Sequence, residues 1–404
     1  MDNHVESTEA PMTKLNQILM MLAGILLVGG IALGAMGMGG GLDMAKIAPS
    51  YMFAAAFWGL ATIGCFALKL LFHITRGRWG TPILRVFESG GNHIMLVLAF
   101  VLFAIPVFVL KDQYYAGWLH PDPADEIIAR KAWWLNETFF QIRLVIYFAV
   151  MVVFGYRLQA WLRKEEKTGD KRFSDLRNNW AAPGMVLFFV IMSFFTTDVF
   201  MSMDPHWYST IFGFWFAVGS ALTALSIAVM IAVTQRDKAP FKGAVDKLMM
   251  NDFGNLLLML IMIWAYFSFS QFLIIWSGNL PEFITFYLRR VREGGFANVG
   301  QALILFHFLV PFIALLSPSL KRSKFGLALI AGWIFAMRIV DIWWIIMPYF
   351  RKSAMPQPMD LGIWMLIGGI WLGVFAWQLS KNPLLVKAHP YQHNPELKEA
   401  TENV

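Results

Sequence analysis

Asp198, Asp204 and His206 fall close together in residues 196–213, TTDVFMSMDPHWYSTIFG, between two long apolar runs at 181–195 and 211–233. Carboxylates and an imidazole are proton-exchanging groups, and an unpaired acid at the hydrocarbon costs about 3 kcal/mol. A chain that keeps these acids there needs partners for them or a use for their protons. The same chemistry is available to Glu137, Arg143, His307, Arg338 and Asp341, each set in or at the end of an apolar run. Together with Asp198, Asp204 and His206 they are the candidates for a proton path.

The elements that must position these groups are membrane spans. Of 404 residues, 58% are hydrophobic and only 15% charged, a composition of a helical polytopic membrane protein with no room for a soluble domain. Runs of about 20 apolar residues cross a hydrocarbon core of about 30 Å. Ten are expected, near 16–39, 50–73, 93–110, 139–161, 181–203, 211–234, 253–276, 299–317, 325–347 and 361–380. The first lacks the basic lead and cleavage site of a secretory signal, having His4, Glu6 and Glu9 before it, and reads as a retained helix. The expected architecture is all-α: an N-terminal tail 1–15, a ten-helix domain 16–380 and a C-terminal tail 381–404. Within the domain, an offset of four spans preserves direction, which suggests two four-helix bundles, about 50–203 and 211–347, flanked by the first and last helices.

Lys and Arg are richer in the loops after the second, fourth, sixth and eighth spans than in the alternate loops. By the positive-inside rule that set is cytoplasmic, as are both termini. The densest stretch, Arg157 to Arg177, reads as a topogenic loop and not a nucleic-acid site, since it lacks interleaved aromatics. The 196–213 hairpin then faces outward with loops 110–138 and 277–298. In the latter, Pro281 opens a short helix in which Phe283, Phe286, Tyr287 and Arg290 share a face, either resting in the interface or docking an extramembrane protein.

Depth groups Asp198, Gln271, Arg338 and Asp341 in the outer part of their spans, with His307 near the midplane. Arg338 and Asp341 are three apart on one helix face, where an ion pair lowers the cost of burying both. Glu137 and Arg143, six apart, lie on different turns and need partners elsewhere. Two readings of the group stay open: a network of structural ion pairs, or a proton path and polar pocket for a small amphiphile. Gln271 and Trp276 are candidates for a quinone niche there; Trp207, Glu282, Arg289 and Arg290 are candidates for partner docking. At the opposite end, Lys69 is expected to snorkel and Asp252 to serve a helix N-terminus.

Other chemistries are excluded. The single Cys65 allows no intrachain disulfide, thiolate cluster or c-haem attachment, and His93 with His307, at different depths, make a poor haem pair. No HExxH, Walker, GxGxxG or GxSxG pattern occurs, so no catalytic centre and no metal site is expected.

Two stretches carry a family resemblance. Residues 197–213 and the run from Trp264 through Gln271, Trp276, Asn279 and Glu282 to Arg290 resemble an integral membrane component of alternative complex III, within the NrfD and polysulfide-reductase-like membrane family. The likeness extends over the whole chain in length and span count, with Phe283 where a second acid would follow Glu282. It implies a membrane component without cofactors of its own in a bacterial quinol:cytochrome c oxidoreductase of the cytoplasmic membrane. The implied partners are a second NrfD-like membrane protein, a periplasmic iron–sulfur protein, c-type haem subunits and a terminal oxidase, with menaquinol as the complex's substrate. Asp198, Asp204, Trp207, Gln271, Glu282 and Arg289 are the positions that match. A freestanding secondary transporter and a purely structural scaffold are the alternatives.

Overall fold

A computed structural model of the chain describes residues 12–386 apart from 39, 40, 42 and 293. Most of both expected tails, His4, Glu6 and Glu9 included, lies outside the described residues. The described residues are helical with no strand: α1 Met12–Met38, α2 Met44–Thr75, α3 Leu84–Gly90, α4 His93–Ala104, α5 Lys111–Leu119, α6 Glu126–Lys131, α7 Glu137–Thr168 and α8 Lys171–Val199. There follow α9 Phe212–Thr234, α10 Lys247–Gly278, α11 Pro281–Val291, α12 Phe296–Ala302, α13 Val310–Leu316, α14 Pro318–Arg322, α15 Lys324–Ile346 and α16 Pro358–Ser380.

Among the described residues, nine helical stretches are long and apolar enough to cross a membrane. The expected third span differs. It is a bent pair, α3 and the run His93–Val109, meeting at 44°, and a count of ten requires taking that pair as one span. Gly90, Gly91 and Asn92 make the break: Gly91 lies against the backbone of α2 at Phe66, where a Cβ would come within 2.5 Å of its nitrogen, and Asn92 caps α4 through Met95 N–H at 3.0 Å. Several helices run further than expected because polar caps and not apolar length stop them. Asn136 caps α7, Asp170 caps α8 and Asp246 caps α10, each side chain accepting a first-turn N–H; Gly169, at φ 67°, ends α7.

Two helices are central. The most apolar windows of α2 and α9 are 94% and 83% buried, while those of α1, α10 and the α12–α13 run stay largely exposed. All-round burial needs small side chains at the crossing, and Gly64 of α2 sits directly on the Ser220 carbonyl of α9. Helix α2 also packs on α4, α8 and α16, and α7 closes a ring with α4 and α8. On the far side of α9, α10, α13 and α15 pack in turn. Helix α1 touches the body through α16, where Gly30 and Gly362 bring the two backbones together. Lengths, apolarity and small-residue contacts are those of a multi-pass membrane protein.

Candidate functional site

The hairpin at 196–213 is a folded plug, tied to its neighbours through Asp204, His206 and Ser209, with the Trp207 indole N–H buried and unpartnered. After α8 a 3₁₀ turn at Met201–Met203 leads to Asp204, whose carboxylate accepts from Arg289 at 3.0 Å. His206 Nε2 meets the Asp125 carboxylate at 2.6 Å, and Lys131 donates to the Pro205 carbonyl at 2.6 Å. Ser209 donates to the Gln271 side chain. Trp207, 2% exposed, stacks on Phe286 with centroids 4.6 Å apart, and Tyr208 meets Phe283 edge-on at 4.6 Å. The apolar face of α11 is therefore turned onto the hairpin. Arg290, next on that face, is 1% exposed and donates to the Trp344 and Ile345 carbonyls at the end of α15. Burial pulls its guanidinium down to about 10, with Tyr349 pulling the other way.

Beneath the plug, Asp198 accepts from four donor atoms. Arg143 reaches across from α7 with Nε to Oδ2 at 2.8 Å and Nη2 to Oδ1 at 2.9 Å. Trp134 Nε1 donates to Oδ1 at 2.9 Å and Tyr147 Oη to Oδ2 at 2.7 Å. The guanidinium lies 4.1 Å from the Trp134 ring and 4.2 Å from that of Phe139, and its Nη1 donates to the Trp134 carbonyl. Residue exposures of 1% and 5% exclude water from a pair whose lone pairs and N–H groups are almost all taken. Such an arrangement sets each charge against its counter-charge and fixes α7 to α8.

The second buried acid is less satisfied. Asp341 Oδ2 accepts from Arg338 and, at 3.1 Å, from Trp264 Nε1, but Oδ1 is buried with no partner. Arg338 Nε lies 3.3 Å from the Thr223 hydroxyl, and its guanidinium fills the space over Gly219. His307, fully buried, stands edge-on to Trp264 at 4.3 Å, and neither ring nitrogen has a hydrogen-bond partner. It sits in a wide π turn, Leu303–Leu309, a local widening often kept at functional positions. Three unpaired polar atoms thus lie on either side of one tryptophan, and such buried groups are the ones that water or a small hydrogen-bonding ligand satisfies.

Placement of the candidates divides them. Arg143 with Asp198, Arg338 with Asp341, and Asp204 with Arg289 are brought together as pairs. Glu137 is not part of these: half-exposed, it takes Lys111 and Gln141. Trp276 is 69% exposed at the end of α10, apart from buried Gln271, so the two do not line one niche. Trp207 and Arg290, expected as docking surface, are buried inside the chain, because the face that the spacing of α11 picked out is the face the hairpin covers. Glu282 remains exposed.

At the opposite end lies a buried cluster that sequence reasoning missed. Lys69 does not snorkel: it is 0% exposed and donates to the Gly91 carbonyl at 2.8 Å, the helix break supplying the acceptor. Arg85, 1% exposed, bonds Glu88 at 3.0 Å, Glu166, and the Pro383 carbonyl at 2.8 Å, while Arg177 pairs with Glu165. The signals were Arg85 and Glu88 three apart and the two glutamates inside a basic run. They were masked by reading 157–177 as a loop, whereas α7 and α8 stay helical almost to Gly169. Among the described residues no three His, Cys, Asp or Glu side chains gather as a metal site.

No protein-family model matches this chain, and no curated protein matches it.

Proposed function

We propose that this chain is an integral membrane subunit, without a redox centre of its own, of a respiratory quinol:electron-acceptor oxidoreductase of the alternative complex III type. In this reading it lies in a bacterial cytoplasmic membrane with both termini inside, as ten spans in two four-helix bundles with α1 and α16 on the flank. One observation carries it. The two stretches that bear the family resemblance, far apart in sequence, are joined into one structure by Arg289 on Asp204, Ser209 on Gln271 and Trp207 on Phe286. A shared motif pair that builds one outer plug is what a common architecture requires.

Menaquinol, haem c and iron–sulfur clusters belong to the complex and its other subunits in this reading. The chain supports quinol oxidation by holding its partners and, through Asp198, Asp341 and His307, moving protons. Purification through a tag on this chain in mild detergent tests it. Stoichiometric c-type haem and an iron–sulfur protein are expected; a colourless, solitary protein overturns the reading. The transporter alternative draws on the 44° break beside Gly91 and the π turn at His307, since interrupted helices are the mark of such sites. Solute uptake by the solitary protein in liposomes would favour it.

A further inference from the structure

We propose that the outward face of the α7–α8 hairpin binds an anionic phospholipid, with the phosphate seated between Arg157 and Lys164. The stretch 157–177 carries four acids, and the fold draws the middle two, Glu165 and Glu166, inward onto arginines, leaving Asp170 and Asp175 at the surface with partners of their own. Glu165 turns inward to Arg177 and Glu166 to Arg85; Asp170 caps α8 at the Arg172 amide, and Asp175 takes Arg76 at 3.2 Å. Arg157, Arg163, Lys164, Lys167, Lys171 and Arg172 are left exposed, and none has an acidic partner among the described residues. The positive-inside rule accounts for cations at this end of a bundle, but not for acids within the same two helices being spent on buried arginines.

Depth selects a lipid over a soluble anion. Arg157 stands about 30 Å along α7 from Glu137 at the rise of a helix, the thickness of the hydrocarbon. Lys164 is two turns further on the same stripe, 5.7 Å from the Phe173 ring. Immediately inward of Arg157 the exposed surface turns apolar: Tyr156, Val153, Ile146 and Ile142 are all about half-exposed along one side of α7. Trp161 and Trp180, 5.2 Å apart edge to face, stand at the same level, as aromatic side chains do at a headgroup boundary. A phosphate between two unpaired cations, with acyl chains along that strip, matches the surface in charge and in polarity.

The test uses the full chain in phosphatidylcholine nanodiscs, with and without phosphatidylglycerol, reading thermal unfolding and, by native mass spectrometry, retained lipid. Phosphatidylglycerol is expected to raise the midpoint and stay bound. The Arg157→Gln/Lys164→Gln variant should lose about tenfold or more of that binding. Lys238→Gln/Lys242→Gln, exposed cations elsewhere at the same end, should keep it, and the charge-keeping Arg157→Lys/Lys164→Arg should rescue it. Equal retention by wild type and the Gln pair overturns the proposal. So does equal loss in the Lys238/Lys242 control, which would mean diffuse surface charge, or the same midpoint rise from inorganic phosphate in phosphatidylcholine discs, which would mean a free anion.

Discussion

Arg143 holds Asp198 by both sides of its guanidinium, Nε at 2.8 Å and Nη2 at 2.9 Å, across the interface of α7 and α8 and beneath the 196–213 plug. Removing one partner leaves the other as an unpaired buried charge, whereas removing both leaves only a packing problem. Asp198→Ala should therefore cost about 3–5 kcal/mol, and Arg143→Leu/Asp198→Leu less than either single change. Thermal melts of the four proteins in one detergent check the order. If Asp198 also carries protons, Asp198→Asn should depress turnover of the intact complex; unchanged turnover and proton movement would leave it a purely structural acid.

His307 offers the contrasting case, a buried ring that makes no hydrogen bond. His307→Phe keeps the edge contact with Trp264 and deletes two unpaired polar atoms, so it should change stability by less than about 1 kcal/mol. A loss of several degrees in the melt would mean that the ring nitrogens hold water or a ligand. Activity lost at full stability would assign His307 a proton-handling role.

Asp125 ties α6 to the 196–213 hairpin by capping that helix and meeting His206. The Ile128 N–H first, then the imidazole and the Ile127 N–H, hold its carboxyl below the usual range. Its folded value being lower than its unfolded one, the contribution to stability is present above about pH 4 and fades as pH falls further. Melting points taken from neutral pH downward should decline less steeply below about pH 4 in Asp125→Asn than in wild type. Parallel curves would show that the contact does not couple to folding.

Gly64 sets the closest approach of the two central helices. A methyl group there meets the Ser220 carbonyl, and overpacking at such a crossing should cost about 1–3 kcal/mol in Gly64→Ala. Gly34 in α1 has nothing within 4 Å of an added Cβ, so Gly34→Ala should be neutral or stabilising by up to about 1 kcal/mol. Melts of both variants decide; equal effects would mean that the α2–α9 contact yields.

Composition and run length alone determined that this is an all-helical, multi-pass chain, and helical spacing was enough to pair Arg338 with Asp341 and to find the sticky face of α11. Those are properties of single helices, set by neighbours three or four residues away. Spacing told that Asp198 and Arg143 each needed a partner but not that they were each other's, because they lie 55 residues apart on two different helices. It left Lys69 at the surface, since nothing local reveals that a break at Gly91 frees a backbone carbonyl for it. The inward turn of Glu165 and Glu166, like the covering of Trp207 and Arg290, was decided only in three dimensions. Which side of a helix is buried depends on what packs against it, and a charge stays buried only where another element brings its counter-charge.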